Sequence, residues 1–130
     1  MSARRLVLVA DDEDDILRLV TTVIERSGHE VVSVRDGAQA LAAVCTRRPD
    51  LVVLDISMPE VDGLEVLRRL RADAETSELP VLLLSAQAQE ADVRRGFVTG
   101  ASAYVKKPFS PRELAERVDE LLGSSAQSDL

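Results

Sequence analysis

The chain has no tryptophan, a single tyrosine and a single cysteine. Cys45 alone forms no internal disulfide and fits a reducing compartment, so a cytoplasmic location is expected. Long apolar runs are missing too: nothing approaches the roughly 18 residues that a membrane span requires, and no membrane partner is expected. Met1-Ser2-Ala3-Arg4-Arg5 leads into only five apolar residues before acids begin, so no secretory leader is expected. Positive charge is scarce: 16 lysines and arginines against 23 acids leave a formal net charge of −7. That balance argues against nucleic-acid binding by this domain, because phosphate contacts need clustered lysine and arginine.

What remains is the composition of one globular domain, 130 residues long with 45% apolar and 30% charged residues. Five short apolar runs alternate with five helix-like stretches: residues 6–10, 31–34, 51–54, 81–84 and 103–105. The first, third and fourth are nearly continuous in valine and leucine, as in parallel strands covered on both faces. Between them, Ile16, Leu19, Val20, Val23 and Ile24 keep a one-face helical spacing. Ala38, Leu41, Ala42 and Cys45 do so in a second helix, which assigns Cys45 to packing, and Leu114, Val118, Leu121 and Leu122 in a fifth. Third and fourth helices are expected around residues 64–70 and 90–98. Gly28, Gly37, Gly63 and Gly100 punctuate the joints, with Pro49 and Pro80 just ahead of strands. Strict alternation implies right-handed crossovers and a doubly wound α/β fold: a parallel sheet with helices on both faces. Residues 1–5 are expected to form a lead, 6–122 the single domain and 123–130 a flexible polar tail.

Ligands of a parallel sheet gather at the carboxyl ends of its strands. Asp11, Asp12 and Glu13 follow the first run, Asp55 the third, Ser85 the fourth, and Lys106, Lys107 and Pro108 the fifth. Two carboxylates about 4 Å apart repel by roughly 4 kcal/mol at an effective dielectric near 20. A crowd of acids therefore calls for a cation, and Mg²⁺ suits oxygen ligands shared with a phosphoryl group. Taken alone, Asp11 to Glu13 read equally as acids favouring the first turn of the following helix. That reading leaves out Asp55, which closes an apolar run with no helix directly behind it. A carboxylate forms acyl phosphates, and phosphoryl transfer asks mainly for positioning and charge neutralisation.

In order along the chain, Val7-Leu8-Val9-Ala10-Asp11-Asp12-Glu13, then Leu51 to Pro59 followed by Asp62-Gly63, then Val81 to Ala86, then Tyr104-Val105-Lys106-Lys107-Pro108-Phe109 resemble the motifs of bacterial response-regulator receiver domains. The resemblance spans residues 6–122. It implies a flavodoxin/CheY-like five-stranded sheet of order 2-1-3-4-5 and a phosphorylation switch rather than a turnover enzyme. It makes Asp55 the phosphoacceptor and gives Mg²⁺ (or Mn²⁺) to Asp11, Asp12, Asp55 and the backbone carbonyl of Ser57, with Asp12 bound directly and Asp11 through water. Ser85 and Lys107 would grip phosphoryl oxygens, Lys107 being the lysine that directly precedes Pro108, across a cis peptide. Tyr104 would be the aromatic that turns inward toward Ser85, while Ser57 and Gln87 would tune dephosphorylation. The implied partners are a sensor histidine kinase or phosphotransfer protein and a downstream protein or C-terminal output domain.

Rival readings fit less well. A dinucleotide-binding fold wants a glycine-rich turn after the first strand, where this chain has five consecutive acids, residues 11–15. An aspartyl-phosphate hydrolase carries its nucleophile after the first strand and needs a cap domain. A partner-binding receiver that is never phosphorylated would lack one of the acids or the lysine. Ser102 and Ala103 stand where the dimerising branch of the family commonly carries two acids, so a monomer or a weak phosphorylation-dependent dimer is expected. His29, in a Gly-His-Glu turn, is expected at the surface, and Arg68-Arg69 and Arg94-Arg95 on solvated faces.

Overall fold

In the computed structural model, residues 4–86 and 90–127 are described. Five strands, β1 (Leu6–Ala10), β2 (Glu30–Val34), β3 (Leu51–Asp55), β4 (Val81–Ser85) and β5 (Ala103–Lys106), alternate with five helices, α1 (Asp14–Arg26), α2 (Gly37–Arg47), α3 (Gly63–Ala72), α4 (Glu90–Thr99) and α5 (Pro111–Gln127). The strands form one parallel sheet of order β2-β1-β3-β4-β5.

Side chains alternate across the central strands and divide the core into two layers. Leu8, Ala10, Val52, Leu54, Val81 and Leu83 pack with Ala40 and Val44 of α2, Val66, Leu67 and Leu70 of α3, and Val93 of α4. Val7, Val9, Leu51, Val53, Leu82 and Leu84 pack with Val20, Val23 and Ile24 of α1 and Leu114, Val118 and Leu122 of α5. β1, β3 and β4 are thus buried on both faces, the reason their sequences show no polar alternation. Among the described residues no helix is long and apolar enough to cross a membrane.

Helix starts are set by short polar side chains. Asp36 Oδ1 accepts from Gln39 N at 2.8 Å, Asp62 Oδ1 from Glu65 N at 2.9 Å, and Ser110 Oγ from Glu113 N at 3.0 Å. At the start of α3 the backbone approaches β3 so closely that a Cβ on Gly63 would lie 2.3 Å from the Asp55 carbonyl oxygen. Only glycine permits this, and Gly63 N donates to Ile56 O at 2.9 Å across the same gap.

Two local expectations are corrected. The buried face of α2 is Gly37, Ala40 and Val44, one residue out of step with the Ala38, Leu41, Ala42 and Cys45 spacing, and Cys45 is exposed. His29 is largely covered, with its side chain 14% exposed and Nε2 3.9 Å from Asp119 of α5.

The Gly63 contact yields a test. Gly63→Ala should destabilise the fold by about 1–3 kcal/mol through forced displacement of α3. Gly123→Ala, whose Cβ meets nothing within 4 Å, should instead stabilise it by roughly 0.5–1 kcal/mol. Urea midpoints decide it: similar shifts for both variants would remove the α3–β3 approach as a constraint.

Candidate functional site

In a sheet of order 2-1-3, the chain leaves β1 on one side and β3 on the other, opening a crevice at their carboxyl ends. Ala10 pairs with Leu54, so Asp11 and Asp55 come out of the sheet side by side. One carboxylate oxygen from each of Asp11, Asp12 and Asp55 lies within 4.8 Å of the others; Asp11 and Asp55 are buried and Asp12 is exposed. Asp11 Oδ1 accepts from Glu13 N at 2.9 Å, and Asp55 Oδ1 from Ser57 N at 3.3 Å.

A lysine comes from two strands away. Ser85 pairs with Lys106, and Lys107 N donates to Ser85 O at 2.7 Å, which fixes where the Lys107 stem starts. Its ammonium reaches back across β4 to stand 3.2 Å from Asp11 Oδ2, 3.2 Å from Glu13 Oε1 and 3.4 Å from Asp55 Oδ1. The Lys107-Pro108 peptide is cis. Lys106, the neighbouring lysine, instead lines a cavity of about 280 Å³ with Ser85, Val93, Phe97 and Tyr104. Successive residues of a strand point to opposite faces, and this separates the two lysines.

The electrostatics follow from burial. Desolvation, reinforced by the negative charge of Asp11, pushes the Asp55 carboxyl up to about 7, against the opposing pull of Lys107 and the Ser57 amide. Burial raises Asp11 as well, though its hydrogen bond from the Glu13 amide and the Lys107 charge resist. Desolvation would lower Lys107, but the Asp55 and Asp11 carboxylates outweigh it and hold the ammonium protonated. Asp11 Oδ2 is buried and forms an ion pair with Lys107 at 3.2 Å. Three carboxylates gathered this closely, two of them buried, are the donor set of a hard divalent cation.

The remaining residues singled out from sequence fall as follows. Ser85 is buried with its hydroxyl donating to Ala86 O at 3.0 Å. Tyr104 is 41% exposed, its ring edge-on to Phe97 with centroids 5.7 Å apart. Gln87 lies outside the described residues. Met58, Pro59 and Asp62 line a cleft beside Asp12 and Ser57 whose far wall is Asp92 and Arg95 of α4. Arg68 and Arg69 are exposed and paired with Glu65. Sequence reasoning put Glu13 on the rim without the role of accepting from Lys107, and it missed Phe97. The third acid of the opening triplet was the only available signal for the former.

Residues 7–119 match the family model of the response regulator receiver domain. The alkaline phosphatase synthesis transcriptional regulatory protein PhoP of Bacillus subtilis is 43% identical over 119 residues, covering 92% of this chain and 49% of its own length. The DNA-binding response regulator MtrA of Mycobacterium tuberculosis is 42% identical over 115 residues, 88% of this chain and 49% of its own. The chain therefore spans about half the length of these curated relatives. Among solved structures, a putative response regulator from Chloroflexus aurantiacus superposes with a TM-score of 0.89 at 33% identity, over 93% of this chain and 99% of that one. The chemotaxis response regulator CheY4 of Vibrio cholerae gives 0.85 at 28% identity, over 92% and 99%.

The Asp55 environment makes a pH prediction. Its proton is held more tightly in the folded chain, near 7, than at the usual 3.8. That stabilising contribution is fully present below about pH 4 and lost as pH rises through about 7. Asparagine does not ionise. In metal-free buffer Asp55→Asn should match wild type near pH 4 and exceed its stability at pH 8 by roughly 2–4 kcal/mol. Urea melts at the two pH values measure this; an equal offset at both would contradict a desolvated Asp55.

Proposed function

The chain belongs to the response regulator receiver domain family, and on that premise we propose that it is the phosphoryl-accepting switch of a two-component pathway, with Asp55 as the acceptor. The observation that carries this reading is Lys107 Nζ 3.4 Å from Asp55 Oδ1, with carboxylate oxygens of Asp11 and Asp12 gathered within 4.8 Å around the same group. A fixed cation and a set of cation ligands flank one buried carboxylate.

The donor is a phosphohistidine on a sensor kinase or phosphotransfer protein. An Asp55 oxygen forms the new P–O bond while the donor P–N bond breaks; the electron pair stays on the imidazole nitrogen, which takes up a proton. Lys107 neutralises one phosphoryl oxygen. Ser85 donates to another by exchanging its present acceptor, the Ala86 carbonyl. Asp11, Asp12, Asp55 and the Ser57 carbonyl would hold Mg²⁺, or Mn²⁺ in its place. Bound there, the ion supplies positive charge against the charge that builds on the phosphoryl oxygens. In the reverse sense, water attacks phosphorus, the acyl phosphate P–O bond breaks, and Asp55 recovers its carboxylate as inorganic phosphate leaves. Ser57 and Gln87 tune its rate. No external substrate is turned over.

Phosphorylation draws Ser85 inward and Tyr104 follows into the cavity lined by Ser85, Val93, Phe97 and Lys106. The surface of α4, β5 and α5 changes with it, and a downstream protein or an output domain responds in the cytoplasm. The DNA-binding function named for MtrA belongs to that longer protein; this acidic domain, residues 6–122, acts by protein contact. Without acids at Ser102 and Ala103, it is a monomer or a weak dimer on phosphorylation.

Acetyl phosphate with Mg²⁺ should add one phosphoryl group to wild type and none to Asp55→Asn, read by intact mass. Equal labelling of both would sink the assignment. Because Mg²⁺ binds the folded arrangement, millimolar Mg²⁺ should raise the wild-type melting temperature, and less so in Asp12→Ala.

Tyr104 is the only tyrosine and there is no tryptophan, so emission excited near 275 nm reports on one ring. Beryllofluoride with Mg²⁺ should change that emission saturably, relative to Mg²⁺ alone, and leave Asp55→Asn unaffected. An unchanged emission in a sample with proven binding would remove Tyr104 from the switch.

A further inference from the structure

We propose that Glu13 is a positioning residue that restrains Lys107 in the unphosphorylated protein and thereby slows phosphoryl transfer to Asp55. The inference rests on the reading of Asp55 as acceptor and Lys107 as the cation that grips the phosphoryl group.

Three carboxylates stand at 3.2–3.4 Å from the Lys107 ammonium, but they hold it differently. Glu13 Oε1 accepts a hydrogen bond from it at 3.2 Å. Asp11 Oδ2 lies at the same distance as an ion pair, from the buried side of the ammonium. The three also differ in place: the Glu13 side chain is 62% exposed, whereas those of Asp11 and Asp55 are buried. Glu13 therefore draws the ammonium toward the rim, away from where phosphoryl oxygens would sit.

The backbone aims this side chain. Glu13 is the N-cap residue of α1, in extended conformation and without a side-chain cap hydrogen bond. Its amide is tied to Asp11 Oδ1 at 2.9 Å, which fixes the turn, while its carboxylate is left to Lys107. To grip a phosphoryl group, Lys107 must give up this partner. The same negative charge at the mouth of the site repels an approaching anionic donor. Both effects act in one direction, slowing transfer. Because Glu13 is exposed, the restraint is modest and salt-sensitive.

The test uses the full chain, as wild type, Glu13→Gln and Glu13→Asp, with Mg²⁺ at saturation and acetyl phosphate in excess. An Asp55 oxygen forms the P–O bond as the acyl P–O bond breaks and acetate departs with the electron pair. Labelling rate is read by intact mass at low salt, about 20 mM, and at high salt, about 0.5 M. Glu13→Gln, which keeps the length and loses the charge, should label roughly two- to fivefold faster at low salt, with the ratio falling toward one at high salt. Glu13→Asp, charged but too short to hold the ammonium, should lie between. A purely structural role would not give a salt-dependent ratio. Equal rates for wild type and Glu13→Gln at both salts would overturn the restraint, as would slower labelling of the variant. Both results leave Asp55 as acceptor. A wild type that takes no label at Asp55 would instead overturn the reading on which the inference rests.

Discussion

Two buried carboxylates side by side are the constraint around which this structure is arranged. Taking one ionised carboxylate out of water costs several kcal/mol, and a second beside it adds direct repulsion. Asp11 and Asp55 carry both penalties, and burial is the leading cause that raises both of their pKa values. The fold offsets this with the Lys107 ammonium, a single positive charge shared by both carboxylates. The site is thus incomplete in charge. Under the proposed function, a divalent cation would balance the acids and the Lys107 ammonium would face a phosphoryl oxygen.

Topology brings these groups together with little help from local sequence. Asp11 and Asp55 adjoin only because β1 and β3 are neighbours, and Lys107 reaches them only because β4 lies between β3 and β5. Residues 11, 55 and 107 are far apart along the chain, so the sheet order is itself the device that assembles the site. Gly63 completes it: its lack of a side chain lets the start of α3 lie against the Asp55 carbonyl. Bulk at that point would push the loop carrying Ser57 and Met58 out of place.

Much of this was legible in the sequence, and the failures have physical reasons. The doubly buried strands read clearly because short, continuous runs of valine and leucine are stable only when covered on both faces, and the residues after them identified the rim. Sheet order was not in the periodicity; it came with the resemblance. The face of α2 was misread because its alanines sit on every side: Ala38 and Ala42 are exposed while Ala40 is buried. Gly37, which marks the true face, is buried by a close approach to Val61 rather than by hydrophobicity. His29 looked like a turn residue, yet α5, almost ninety positions later, lies over it at Asp119. The role of Glu13 escaped because its sequence position speaks equally for the first turn of α1. Only the reach of a lysine from β5 distinguishes the two uses.

β5 joins the site to the surface. It is an edge strand, paired only with β4. Within it and just beyond, alternation gives Tyr104 and Lys106 to the cavity against α4, and Lys107 to the carboxylates. Its backbone is anchored to β4 beside the buried Ser85, whose carbonyl accepts from Lys107 N. A shift of Lys107 or Ser85 toward a phosphoryl group therefore bears on the same short strand that holds Tyr104 outward against Phe97. That aromatic contact is worth on the order of 1 kcal/mol, far less than the penalties gathered at the acids. The strong electrostatics lie at the buried end and the weak packing at the exposed end. With one ladder to adjust and an open cavity for the ring to enter, the strand is well placed to respond as a unit. On the proposed reading, a charge change at Asp55 would bias this strand more strongly than the surface contacts beyond it.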